Sequence, residues 1–248
     1  MTLDKTFSLP PWYEDFLLKG LKINVREKNH LKQQIEALKQ IKEGLTKKRQ
    51  RKYFIEASYL KEESVRKAYA LYYMTNNLLK IATPLDDIKA SGYFKDRKKL
   101  QVLDVGSGPG TGVFGLLLWL SELNEGIDVS ITSTDNVEQN LNVFSTLKAP
   151  FLNLLGNKVN AHLQSQKLDI EKEKAFTSLP LDILTGLNVI NEISDKGELN
   201  LIEIIKKSLK DDGFAIFIEP ALQETSRKLL SFRDLLAKEG FNIYAPCL

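Results

Sequence analysis

Apolar and polar positions change rhythm near residue 100. Before that point, apolar residues recur at intervals of three or four. Over 10–20, opened by Pro10 and Pro11 and closed by Gly20, Trp12, Phe16 and Leu17 fall at helical spacing and predict a short docking helix. Leu31, Ile35, Leu38, Ile41 and Leu45 form the stripe of an amphipathic helix over 26–45, with Gly44 helping to end it. A third helix is predicted over 59–81, where Leu60, Val65, Ala68, Tyr69, Tyr72 and Leu79 make a broad apolar face ahead of Pro84. After Leu100, short strand-forming runs alternate with helical ones. Strands are predicted at 101–105, 128–134, 161–167, 181–187, 214–218 and 241–244, and helices at 111–123, 137–147, 197–209 and 222–239. Asp211, Asp212 and Gly213, and then Gly240, are turn signals ahead of the last two strands. This alternation predicts an α/β fold with a mostly parallel sheet and helices on both faces. The expected organisation is a helical N-terminal region at 1–99 and a sheet domain at 100–248.

Charge sharpens that division. The 248 residues carry a net charge of +3, but residues 1–100 hold 22 Lys and Arg against 12 Asp and Glu, while residues 101–248 hold 13 against 20. The densest basic stretch contains Lys47, Lys48, Arg49, Arg51 and Lys52. Such a cluster is either a solvated helix face or a contact for phosphate backbones. The tyrosines of 53–73 lie beside these charges and could stack on RNA bases, although aromatics at helical spacing more often build core. No span is apolar and long enough for a membrane helix. The first twenty residues lack the apolar core of an export signal, so a cytoplasmic location is expected. The single cysteine, Cys247, excludes an intrachain disulfide and any metal site built from several cysteines of this chain.

Candidate chemistry concentrates in LDVGSGPGTG, residues 103–112. Val102, Leu103 and Val105 are strand formers, Gly106, Gly108 and Gly110 permit tight turning, and the apolar run from Phe114 begins a helix. A dinucleotide fingerprint would require glycine where Thr111 stands, and Pro109 removes a backbone N–H that a pyrophosphate would use. Asp104 adds a negative charge suited to an ammonium rather than to phosphates. The details favour S-adenosylmethionine, with Asp104, Gly106, Ser107, Gly108 and Gly110 as candidate contacts. Ligands of open α/β sheets bind beyond the carboxyl ends of the strands. Asp135, with Asn136 beside it, could there accept from ribose hydroxyls, cap the following helix, or both. Asp169 could accept from the adenine amino group while Ile170 packs on the ring. Asn188, Asn191 and Glu192 end the fourth strand and are expected near the transferable methyl, and Glu219 either lines the substrate side or caps a helix. None of these forms a known catalytic signature, so no general base is assigned.

Together these residues resemble the family of methyltransferase-like small-ribosomal-subunit proteins of bacteria and mitochondria. The resemblance rests on Leu9-Pro10-Pro11, the glycine motif, the acid-ended second strand, IEPALQETSRKLLSFRDLL at 218–236, and YAPC at 244–247. It implies a Rossmann-like methyltransferase fold, S-adenosylmethionine binding, contact with small-subunit ribosomal RNA through the basic N-terminal region, and a place in ribosome assembly. The expected function is methyl transfer by an enzyme acting on or bound to that RNA. The alternatives are a catalytically silent assembly factor that keeps the cofactor fold, and a small-molecule methyltransferase. The resemblance also implies a final antiparallel strand for which this sequence leaves no residues, so that either the domain is truncated at its C-terminus or its sheet edge is unusual. It implies that an iron–sulfur cluster could form only where a longer chain supplied cysteines in addition to Cys247.

Overall fold

The structure is a computed structural model that describes residues 8–46, 59–123, 125–173 and 180–245. The basic cluster 47–52 and Cys247 lie outside the described residues. The sheet has five strands: β1 Lys99–Val105, β2 Asp128–Asp135, β3 Asn160–Lys167, β4 Leu181–Leu187 and β5 Leu209–Ile218. They are all parallel and run in the order β3-β2-β1-β4-β5. The order therefore reverses between β1 and β4, which opens a crevice at their carboxyl ends. All seven residues of β4 are buried, as a strand covered on both faces requires.

The covering helices are α1 Tyr13–Gly20, α2 Lys28–Thr46, α3 Glu63–Tyr69, α4 Ala82–Ala90, α5 Thr111–Leu123, α6 Glu138–Leu155, α7 Asp195–Ser208 and α8 Gln223–Lys238. Strand parity distributes them. Leu100 and Val102 of β1 enter a core shared with α1, α4, α5 and α6, whereas Leu103 and Val105 face the opposite core under α7 and α8. The N-terminal helices belong to the first of these cores: Phe16 of α1 packs edge-on against Phe114 and Phe151, with ring centroids 6.2 and 5.3 Å away.

Several elements differ from the sequence expectation, each for a packing reason. The helix expected over 59–81 is broken by a π-helical turn at Ala70–Met74 and a 3₁₀ turn at Leu78–Ile81. That second turn lies against α5 so closely that a Cβ on Gly115 would come 2.1 Å from the Leu78 carbonyl oxygen. Pro84 does not end a helix but sits in the first turn of α4, where its missing N–H goes unused. In α6 the helix runs eight residues past its expected end and through Pro150. Phe144, Leu147, Phe151 and Leu155 continue one buried stripe there. Burial of the last two contributes about 1.5–3 kcal/mol each, enough to offset the roughly 3 kcal/mol cost of an internal proline.

The stripe predicted for α2 is only partly the buried one. Ala37 and Ile41 meet Val65 and Ala68 of α3, while Leu31 and Ile35 stand 45% and 47% exposed, because small Ala37 gives the closer helix contact. At β5, Leu209 pairs with Leu181 and Phe214 with Ile183, so five steps along β5 match two along β4. The Asp-Asp-Gly signal is thus a bulge inside a longer strand, not a turn before a short one. Residues 241–244 form no strand. Phe241 and Ile243 instead pack on the α7–α8 core, and Tyr244 packs edge-on against Phe214, 5.4 Å between centroids.

Candidate functional site

Beyond the carboxyl ends of β1, β2, β3 and β4 lies a cavity of about 920 Å³. Its first wall is the glycine turn. Gly106, Gly108 and Gly110 take φ of 61°, 55° and 102°, values in the left-handed region that favours glycine. A Cβ on Gly106 would meet Val189 at 2.6 Å, and one on Gly110 would meet Phe144 at 2.5 Å, whereas Gly108 faces open space. The turn is tied to β2 by the Ser107 N–H, which donates to the Thr134 carbonyl at 2.8 Å, and by the Ser133 hydroxyl, which donates to Ser107 Oγ at 2.6 Å.

Asp135 forms the second wall and holds the first in place. One carboxylate oxygen accepts from the Gly108 N–H at 2.8 Å; the other accepts from the Val137 N–H at 2.8 Å and from Asn140 Nδ2 at 3.2 Å. The helix N-cap expected of this residue is not formed, since Val137 is the N-cap and Asp135 instead braces the loop ahead of α6, while its side chain borders the cavity. Burial raises its pKa, opposed by these three hydrogen bonds.

Asn136, Asp169 and Ile170 continue the wall past β2 and β3. Asp169 accepts from the Glu171 N–H at 3.1 Å and pairs with Lys172 at 2.7 Å. Asn188 stands opposite, at the end of β4, with φ of 61°, a backbone strain uncommon outside glycine. Its N–H donates to the Ile218 carbonyl at 2.8 Å and its own carbonyl accepts from Asn191 Nδ2 at 3.0 Å.

Three of the expected contacts lie behind the cavity wall. Ser107 and Gly110 are buried within the turn, and Asp104 is on the α5 face of β1, a position set by its parity with Val102. Its carboxylate accepts from the Thr185 hydroxyl at 2.5 Å, and a Cβ on Gly112 of α5 would come 2.6 Å from it. Desolvation pushes its pKa up to about 7, the Thr185 hydrogen bond opposing and the Asp135 charge adding. The contact with a ligand ammonium expected from the sequence is not made by this geometry, since the side chain is turned under the helix. Glu219 also departs from both its expectations. It accepts from the Ile190 N–H at 2.7 Å and from the Asn191 side-chain amide, bracing the β4 loop, while α8 begins later, at Gln223.

The cavity has further walls that were not anticipated. Tyr69, at the end of α3, and Leu60 reach it from the N-terminal helices. Glu171 accepts from both the N–H and the hydroxyl of Ser194, the N-cap of α7, at 2.7 and 2.5 Å, latching the β3 loop to that helix. Ser194 was readable as a cap signal ahead of Asp195; Tyr69 carried no sequence signal beyond its aromatic type. Among the described residues, no group of three or more His, Cys, Asp or Glu side chains is arranged to hold a metal ion, and no helix is long and apolar enough to cross a membrane.

Among solved structures, the chain is similar to a candidate S-adenosylmethionine-dependent methyltransferase of Methanococcus maripaludis, with 16% identity, a TM-score of 0.46, and 74% of this chain and 87% of that one covered. It is also similar to the glycopeptide N-methyltransferase MtfA in complex with S-adenosylmethionine, at 17% identity and a TM-score of 0.38 over 53% of this chain. The chain spans about half the length of MtfA, 52%. YjhP from Escherichia coli is 15% identical, with a TM-score of 0.41 over 63% of this chain and 64% of its own. No curated protein matches. The family described as mitochondrial small ribosomal subunit Rsm22 matches residues 63–248, three quarters of the sequence, and the chain belongs to that family.

Proposed function

We propose that the cavity binds S-adenosylmethionine and that the protein is a methyltransferase acting on, or bound to, small-subunit ribosomal RNA during ribosome assembly. The observation that carries this reading is the bond from the Gly108 N–H to Asp135, which places an open glycine face and a buried carboxylate side by side on one wall. The volume of about 920 Å³ lies toward the top of the range of roughly 300–1,000 Å³ for small-molecule sites, leaving room for part of an acceptor beside a cofactor.

The residues present fit the cofactor in kind. Asp135 would accept from ribose hydroxyls with its remaining lone pairs, Asn136 and Asp169 would meet the polar edge of the adenine, and Ile170 would cover the ring face. Gly106 and Gly108 let the backbone approach the methionine portion. When bound, S-adenosylmethionine supplies an electrophilic methyl group. Asn188 and Asn191 would then orient the acceptor, since methyl transfer to a good nucleophile proceeds largely by alignment. The family to which the chain belongs supplies the ribosomal part of the reading. A cytoplasmic location, expected from the sequence, is kept as part of the proposal for a bacterial-type chain, although the family description names the mitochondrial subunit.

One observation favours cofactor binding without methyl transfer as the second reading. The strand-end carboxylates are engaged in holding the fold: Asp104 by Thr185, Asp135 by the turn, Glu219 by the Asn191 loop. Calorimetric titration with S-adenosylmethionine tests the common premise. The parent is expected to bind one equivalent and Asp135→Ala at least tenfold more weakly; absence of binding by the parent refutes it. Labelled cofactor incubated with immature small subunits then separates the two readings, methyl label in the RNA marking the enzyme.

A further inference from the structure

Asn140 stands in the first turn of α6, is 2% exposed, and borders the cavity beside Asp135. Its backbone N–H donates to the Val137 carbonyl at 3.0 Å, and its Nδ2 donates to Asp135 Oδ1 at 3.2 Å. Its Oδ1 is buried and has no hydrogen-bond partner in the protein. Chemistry fixes which way the amide faces. Asp135 Oδ1 also accepts the Val137 N–H, and a carboxylate offers no donor, so the amide nitrogen must face Asp135 and the amide oxygen must turn away from it. A buried acceptor without a donor is costly in a folded chain, and its retention on a cavity wall calls for an explanation.

The lone pairs of Asp135 supply one. Each carboxylate oxygen offers about two acceptor positions. Oδ1 uses both, for the Val137 N–H and for Asn140 Nδ2, and Oδ2 uses one for the Gly108 N–H. A single position remains on Asp135, whereas the two hydroxyls of a ribose bring two donors. We propose that Asn140 Oδ1 accepts from one ribose hydroxyl of S-adenosylmethionine while Asp135 Oδ2 accepts from the other. Asn140 is then a specificity residue, and the pair reads a vicinal diol where Asp135 alone would read one hydroxyl. This role rests on the cofactor reading given above, and it divides between two residues the hydroxyls assigned there to Asp135.

Calorimetry compares S-adenosylmethionine with its 2′-deoxy and 3′-deoxy analogues. The parent should bind each analogue about tenfold more weakly than the full ribose, because each leaves a different buried acceptor unpaired. Asn140→Leu keeps the volume of the side chain and removes the acceptor, and Asn140→Ala serves where Leu is not accommodated; thermal unfolding checks that the variant is folded. In the variant, one analogue should bind within twofold of S-adenosylmethionine, while discrimination against the other stays at about tenfold. A parent indifferent to either hydroxyl overturns the proposal, and that measurement needs no variant. So does a variant that keeps the parental discrimination against both analogues, or one that loses both, since Asn140 would then only brace Asp135. In each of these cases the cofactor reading stands. A parent that binds no S-adenosylmethionine overturns that reading first, and the role of Asn140 falls with it.

Discussion

Replacing Asp104 by Asn probes the electrostatics beneath the glycine turn. The carboxyl is 1% exposed, and burial moves its pKa from 3.8 to about 7 against the pull of the Thr185 hydrogen bond. Between those two values the folded protein keeps a proton that the unfolded chain has released, so stability falls as pH rises through that window. At about 1.4 kcal/mol per unit, raising the pH from 5 to 8 costs the parent on the order of 3 kcal/mol at this group, the loss levelling off above pH 7. The Asn side chain has the same shape, can still accept from Thr185, and does not ionise. For a chain of this length each kcal/mol shifts Tm by about 2–4 °C, so the variant should gain roughly 5–10 °C on the parent between pH 5 and pH 8. Thermal unfolding followed by circular dichroism at unit pH steps measures this, and subtracting one profile from the other removes the other titrating groups. Parallel profiles would show that Asp104 ionises in the fold at no cost. A variant that lost ground as pH rose would reverse the sign and refute the placement of the carboxyl.

Other consequences can be measured as directly. Gly115→Ala places a methyl against the Leu78 carbonyl, and forcing α5 from its neighbour should cost about 3 kcal/mol, read as a lower urea midpoint. At the opposite end of the sheet, buried Asp182 accepts from Arg97 and from Lys210, each at 2.8 Å, and from the Gln101 N–H at 2.8 Å. Asp182→Ala strands those donors and should destabilise by about 3 kcal/mol, with any effect on cofactor affinity remaining under twofold. Neutralising Lys47, Lys48, Arg49, Arg51 and Lys52 should weaken RNA binding and reduce the slope of log affinity against log salt by as much as about 3.5. An unchanged slope returns the cluster to a solvated surface.

Legibility in the sequence followed the strength of the local signal. The strands β1, β2 and β4 and the glycine turn were readable because β-branched residues and glycine spacing are local chemistry, whereas β3, NAHLQSQK, has no β-branched residue and was placed by the alternation around it. The two-sided burial of β4 was only partly legible, because its apolar residues are interrupted by Asp182 and Thr185, both buried. The placement of Asp104 was legible in principle, since its parity with Val102 assigns it to the α5 face, yet its charge suggested a ligand contact instead. What could not be read depended on partners far away in the chain. Leu31 and Ile35 lost the buried face of α2 to Ala37 because α3 demanded a close approach, and Pro150 was carried by Phe151 and Leu155 only because a core awaited them. Tyr69 looked like any core aromatic, and its place on the cavity wall follows a π-helical turn that no periodicity announces.

The core that joins α1 to α5 and α6 has a consequence for synthesis. Phe16 emerges from the ribosome well before Phe114 and Phe151, against which it packs. At about 5–20 residues per second, the apolar face of α1 waits on the order of ten seconds for its partners to be made. During that interval the apolar side chains of the eight-residue α1 have no core to enter, and a helix so short gains little stability before that packing. It acquires its native neighbours only after α6 has been translated.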